Sequence, residues 1–146
     1  MTKTITAGLA TLAVGLFAAG CGDDNKSGSD TGESEGTKTA CKATALSGDT
    51  GLPASFPIPG ELTLTATRKD GPSTVVDGYW EASVQEIHDE YKQQIEAAGY
   101  SVLFDEVEDN DSEISYKGEG KTGQVAIRNS CTEDGTMAVH ITNRPA

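Results

Sequence analysis

Ser83-Val84-Gln85-Glu86-Ile87-His88-Asp89-Glu90-Tyr91-Lys92-Gln93-Gln94-Ile95-Glu96-Ala97-Ala98-Gly99 is the stretch that decides the architecture of this chain. Ser83 and Glu86 stand in the spacing of a capping box. The serine oxygen accepts from the Glu86 amide while the glutamate reaches back to the serine amide, so two orphan donors at a helix start are satisfied. Val84, Ile87, Tyr91, Ile95 and Ala98 recur at intervals of three and four, which gathers them on one stripe of an α-helix. Gln85, Glu86, His88, Asp89, Glu90, Lys92, Gln93 and Glu96 fall between them and are read as the wet face. Gly99 stands where a left-handed terminus is wanted. The polar face is acidic, whereas a helix lying on a membrane surface carries a basic one. The stripe therefore calls for a protein core, and the flanking residues say what supplies it.

Upstream, residues 61–67 alternate Leu62, Leu64 and Ala66 against threonines, the pattern of a half-buried strand, and Arg68-Lys69-Asp70-Gly71-Pro72 closes it in a turn. Residues 74–81 form a second strand through Val75, Val76, Tyr79 and Trp80. Downstream, Tyr100, Val102 and Phe104 alternate with Ser101 and Asp105. A polar turn, Glu108-Asp109-Asn110-Asp111, leads to Ile114 and Tyr116; Gly118-Glu119-Gly120 leads to Val125 and Ile127; Glu133-Asp134-Gly135 leads to Met137, Val139 and Ile141. Turns this short join antiparallel neighbours. The expectation is an α+β fold: an antiparallel sheet of about six strands, in the order ββαββββ, wet on one face and covered by the helix on the other.

Before the first strand, residues 52–60 place Pro53, Pro57 and Pro59 around Phe56 and Ile58, which reads as an extended segment strapped along the core, since proline is barred from the middle of a sheet. Residues 40–146 are the right size for one domain and too few for two comfortable cores. Residues 22–39 hold no large apolar side chain and cannot fold alone. They form a Gly/Ser/acidic tether with a root-mean-square span of roughly 25 Å. Asp23, Asp24, Asp30, Glu33 and Glu35 in it are read as a solvated spacer rather than a cation site.

The N-terminus has three zones. Residues 1–6 hold one cation, Lys3, and no acid; residues 7–19 carry no charge and include Leu9, Leu12, Val14, Leu16 and Phe17; Ala18-Ala19-Gly20-Cys21 closes the run with small residues and a cysteine. The apolar part is shorter than the roughly 20 residues a permanent span needs, and fits a signal-peptide core. The tetrapeptide resembles the lipobox of bacterial lipoproteins, departing from it only in having Ala18 where the family usually has a large aliphatic residue. That resemblance implies cleavage after Gly20, lipid (palmitate-type acyl chains) on Cys21 and attachment to the outer side of a bacterial membrane. The domains are then a signal peptide at 1–20, the lipidated cysteine and tether at 21–39, and the globular region at 40–146. The alternative is an ordinary secreted protein, cut after Gly20 and free of lipid. The helix and the Phe56-Pro57-Ile58-Pro59 entry together resemble small actinobacterial lipoproteins of unassigned role, which implies the outer leaflet of the cell membrane and brings no catalytic motif.

Three cysteines are an odd number for an exported chain. With Cys21 lipidated, Cys41 and Cys131 remain as a pair outside a reducing cytosol, and a disulfide is expected between them. A metal site there is disfavoured because neither cysteine has a Cys or His at ligand spacing. The formal net charge of −12 excludes nucleic acid, whose recognition needs a basic surface, and also an electrostatic grip on anionic lipid. The leader carries Lys3 and no acid, so the mature chain is more negative still.

The search for chemistry is mostly negative. No glycine-rich phosphate loop, nucleophile elbow, zinc helix or paired CxxC is present, and no cofactor is implied. His88, on the polar helix face, and His140, between Val139 and Ile141, are read as surface histidines. Asp109, Asp111 and Glu113 imitate the start of a calcium loop, but Ile114 stands where such a loop needs glycine and Gly120 where it needs the bidentate glutamate, so a solvated hairpin tip is favoured. Tyr79 and Trp80 are the one candidate binding surface, with a core role for Trp80 favoured over a pocket. The functional expectation is a noncatalytic, monomeric, membrane-anchored extracytoplasmic module that binds a protein, a small molecule or a wall component. A hydrolase whose paired carboxylates meet only in the fold is the alternative.

Overall fold

The computed structural model describes residues 37–146. The signal segment, Cys21 and the tether up to residue 36 lie outside the described residues. The elements follow the order β1 (Thr63–Asp70), β2 (Ser73–Glu81), α1 (Val84–Ala97), β3 (Ser101–Val107), β4 (Asp111–Gly118), β5 (Lys121–Arg128) and β6 (Thr136–Pro145). The six strands form one antiparallel sheet in the order β1-β2-β6-β5-β4-β3, and α1, the one helix among the described residues, packs on one of its faces. The fold is α+β, ββαββββ.

The topology follows from strand direction. Along the sheet β2, β5 and β3 run one way and β6 and β4 the other, so β2 and β3 are parallel with three strands between them. Parallel strands require a crossover, and α1 is that crossover. The meander β3-β4-β5-β6 then returns across the sheet until β6 closes against β2.

The helix begins and ends as its sequence dictates. Ser83 Oγ accepts from the Glu86 amide and Glu86 accepts from the Ser83 amide, the complete capping box. At the other end the Tyr100 amide donates to Ile95 and the Gly99 amide to Glu96, a Schellman closure that requires the positive φ of 85° at Gly99. Val84, Ile87, Tyr91 and Ile95 are buried. They lie over Val76, Ile141, Val125 and Ile114, a cross-strand row from β2, β6, β5 and β4 in which every residue is fully buried. Burial of each such side chain stabilises by about 1.5 to 3 kcal/mol. Trp80 is buried too and packs on Tyr91 with ring centroids 6.4 Å apart.

Two strands depart from simple alternation, and a bulge is the cause in each. In β1 the register shifts between Leu64 and Ala66, so Leu64 is half-buried while Ala66 turns to the other face and is exposed. In β3 the shift lies between Val102 and Phe104. One extra residue reverses every side chain beyond it, which sends Phe104 out of the core, 52 % exposed, instead of into it. The entry segment likewise folds into turns rather than running extended: Phe56 donates its amide to Pro53 and Leu62 to Pro59. Phe56 and Pro59 are buried, with Phe56 against Tyr100 and Tyr116 at 5.6 and 5.0 Å, whereas Ile58 faces out.

Gly123 is where the sheet makes room for the ring of Tyr116. A Cβ there would overlap the Thr142 carbonyl oxygen and approach Tyr116 Oη to 2.6 Å. Without it, the Tyr116 hydroxyl donates to Thr142 O at 2.8 Å and accepts from Asn143 Nδ2 at 2.9 Å. Burial pushes the Tyr116 phenol well above its ordinary pKa.

Candidate functional site

Cys41 and Cys131 form the disulfide, with Cα atoms 5.3 Å apart. Backbone pairing reinforces it, because Thr39 forms an isolated parallel bridge to Cys131 through Thr39 N–H to Ser130 O and Thr132 N–H to Thr39 O, both 2.9 Å. Glu133 completes the clasp: its carboxylate accepts from the Cys41 amide at 3.1 Å, the Lys42 amide at 3.2 Å and Thr132 Oγ1 at 3.1 Å. These donors, the Cys41 amide foremost, hold the Glu133 carboxyl below its usual pKa. The two sulfurs and this carboxylate are the one group with metal-ligand proximity among the described residues, but the sulfurs are bonded to each other and offer no thiolate. The cluster is a covalent clasp at the point where the chain enters the domain.

His88 is not on the wet face. It is 2 % exposed, its Nδ1 lies 2.8 Å from Ser112 Oγ on β4, and its Nε2 lies 3.3 Å from Asp105 Oδ2 on β3. Lys92, one turn on along α1, donates to the same Asp105 oxygen at 2.7 Å. The Asp105 carboxyl is held below its ordinary pKa, chiefly by Lys92 and further by His88. Serine, histidine and aspartate in hydrogen-bonded sequence have the composition of a hydrolytic triad. Ser112, however, is 1 % exposed and sealed beneath the helix, where no substrate carbonyl can meet its oxygen. What the arrangement does is tie α1, β3 and β4 together through polar contacts that satisfy each buried group. His140 also has a distant carboxylate, Asp77 on β2, which Arg68 shares from β1; this second chain lies on the open face of the sheet, half exposed.

The remaining sequence candidates are dispersed. Tyr79 and Trp80 are successive residues of β2 and point to opposite faces, Trp80 into the core and Tyr79 to the open side. They share one shallow depression with Glu61, Thr63 and Glu81. Asp111 and Glu113 both reach Arg128, so a guanidinium occupies the space between their oxygens, and Asp109 sits in the preceding turn. Along the outer flank of α1 runs an open groove of about 790 Å³ lined by Glu81, Glu86, Asp89 and Glu90 together with Ala82, Gln93 and Gln94. Glu86 is committed to Ser83, which lowers its pKa, and Glu81 pairs with Lys42. Among the described residues no carboxylate is buried.

Sequence reading missed His88, Ser112 and Glu133. His88 was detectable, being four residues from Val84 and three from Tyr91, on the stripe itself. Ser112 and Glu133 act through partners 24 and about 90 residues away, which no local pattern carries. Comparison of the chain with models of protein families, with curated proteins and with solved structures found no match.

Proposed function

We propose that this protein is a lipid-anchored, extracytoplasmic and noncatalytic binding module, held to the outer side of a bacterial membrane through Cys21. The observation that carries the reading is the allocation of the three cysteines: Cys41 and Cys131 are joined in the domain, and the third stands in the lipobox Ala18-Ala19-Gly20-Cys21. A disulfide across the domain suits an oxidising compartment. No helix among the described residues is long and apolar enough to cross a membrane, and the acidic surface gives no grip on anionic lipid, so the acyl chains carry attachment. The noncatalytic half of the reading is supported by the sealing of Ser112 and by the exposure of the groove carboxylates Glu81, Glu86 and Asp89.

The test is fractionation of cells expressing the full precursor, combined with metabolic labelling by a clickable fatty acid. The wild-type protein is expected in the membrane fraction and labelled, and Cys21→Ser unlabelled and released as a folded, disulfide-bonded domain. An unlabelled wild-type protein recovered from the medium would replace this reading with the secreted one.

A further inference from the structure

The two edges of the sheet are treated differently. The edge of β1 is met by its own chain, since Leu46 N–H donates to Leu64 O at 2.7 Å and Thr67 Oγ1 to Thr50 O at 2.8 Å. Among the described residues, no backbone hydrogen bond joins β3 to anything but β4. An uncovered edge is a row of unpaired donors and acceptors ready to accept another strand. Natural edges are guarded by charge and by bulges that turn the strand away. Here the bulge does the opposite, because it is what places Phe104 outside. Leu103 and Phe104 are 60 % and 52 % exposed, and the one other exposed large apolar side chain among the described residues, Ile58, is 37 % exposed.

We propose that the outer edge of β3 is a self-association surface, on which β3 of a second copy of this chain pairs antiparallel and extends the sheet across a two-fold axis. The distribution of charge selects this occupant. Glu106 lies opposite Glu113 and Ser101 opposite Lys117, and since β4 pairs with β5 in unbroken register, Glu113 and Lys117 share the open face. With Glu113 already paired to Arg128, the carboxylate left at one end of the edge is Glu106, and the cation beside the other end is Lys117. Neither Glu106 nor Lys117 has an ion pair among the described residues.

Antiparallel pairing sets the Glu106 end of one copy beside the Ser101 end of the other. Glu106 then stands two strands, roughly 10 Å of backbone, from Lys117 of the partner subunit, a gap that a glutamate and a lysine side chain span together. Parallel pairing would set Glu106 against its own counterpart, which is unfavourable. The midpoint between Ser101 and Glu106 falls at Leu103 and Phe104, so the exposed apolar pair meets its symmetry mate at the axis, as an isologous interface demands. A foreign strand would satisfy the backbone but has no reason to match both ends. The dimer departs from the monomer expected from sequence and does not depend on how the chain is anchored.

The experiment is sedimentation velocity on the purified mature chain in non-ionic detergent over a concentration series, with hydrogen exchange at the β3 amides. The wild type is expected to dimerise, with β3 amides slowed as concentration rises. Phe104→Asp, at an exposed position that folding does not need, is expected to weaken dimerisation about tenfold or more. Glu106→Lys and Lys117→Glu are each expected to weaken it, and their combination to recover most of the loss. A wild-type monomer throughout the series, a dimer indifferent to Phe104→Asp, or a double reversal no tighter than either single change would each overturn the proposal. So would a monomer whose β3 edge is protected only by an added foreign strand.

Discussion

His88 Nδ1 lies 2.8 Å from Ser112 Oγ in the buried interface between α1 and β4. The contact fixes the rotation of the helix about its axis. An apolar stripe alone tolerates small rotations, whereas a hydrogen bond between two sealed side chains does not, because the alternative leaves a donor or acceptor unsatisfied. The second ring nitrogen extends the link to Asp105, and through it to Lys92, so β3 is registered on the helix by the same residue.

His88→Ala is expected to destabilise the domain by about 2 to 4 kcal/mol, the sum of a cavity and an orphaned hydroxyl. Ser112→Ala should cost less, since it removes the smaller group. In a double-mutant cycle by urea denaturation the two should fall short of additivity by about 1 kcal/mol. Strict additivity would mean that the contact contributes nothing.

Stability should fall in acid, and Glu133 should carry part of the loss. Its carboxyl is held below the ordinary value of 4.5 by the amides of Cys41 and Lys42 and by the Thr132 hydroxyl. A group whose pKa is lower folded than unfolded binds more protons when unfolded, so its contribution is complete above the unfolded value and disappears as pH falls through the folded one. Denaturation midpoints measured from neutral pH down to about pH 3 should therefore drop more steeply for the wild type than for Glu133→Gln. Parallel curves for the two proteins would remove Glu133 from the clasp.

The helix, both of its caps and the order of strands were legible in sequence because each is written in local spacing: Ser83 to Glu86, the stripe from Val84 to Ile95, Gly99, and the short turns between Tyr100 and Ile141. The two bulges were not, since Thr65 and Leu103 look like ordinary strand residues and the extra position is decided by pairing partners elsewhere. The closing contact of β6 with β2 joins residues about 60 apart, a distance over which composition carries no information. His88 was misread because its polarity outweighed its spacing. The clasp was half legible: oxidation state and count gave the pair Cys41 and Cys131, while Glu133 needed the fold.

Gly123→Ala should be costly, by about 1 to 3 kcal/mol, because the added methyl strikes the Thr142 carbonyl and the Tyr116 hydroxyl together. Neither neighbour can give way cheaply, one being ladder backbone and the other held by Asn143. Gly60→Ala is the control, with no atom within 4 Å of the new carbon. Thermal melts of the two variants should separate clearly, and equal melts would show that Tyr116 has slack.

Removal of the disulfide by Cys41→Ser with Cys131→Ser should destabilise the domain by about 4 to 5 kcal/mol if loop entropy dominates, because the bridge spans 90 residues of sequence. The loss should act first on the entry segment. Its other ties to the domain before Leu52 are polar, among them the Thr39 bridge, the Glu133 contacts, the Lys42–Glu81 ion pair, the backbone bond from Leu46 to Leu64 and the bond from Thr67 Oγ1 to Thr50 O. Beyond them Phe56 is anchored in the core, so unravelling should stop there. Limited proteolysis of the double variant should cut between Cys41 and Leu52 well before the sheet is digested, and chemical denaturation should show the lower midpoint. A variant as resistant in that segment as the oxidised wild type would mean that the backbone contacts alone hold it, and that the disulfide acts on the unfolded chain only.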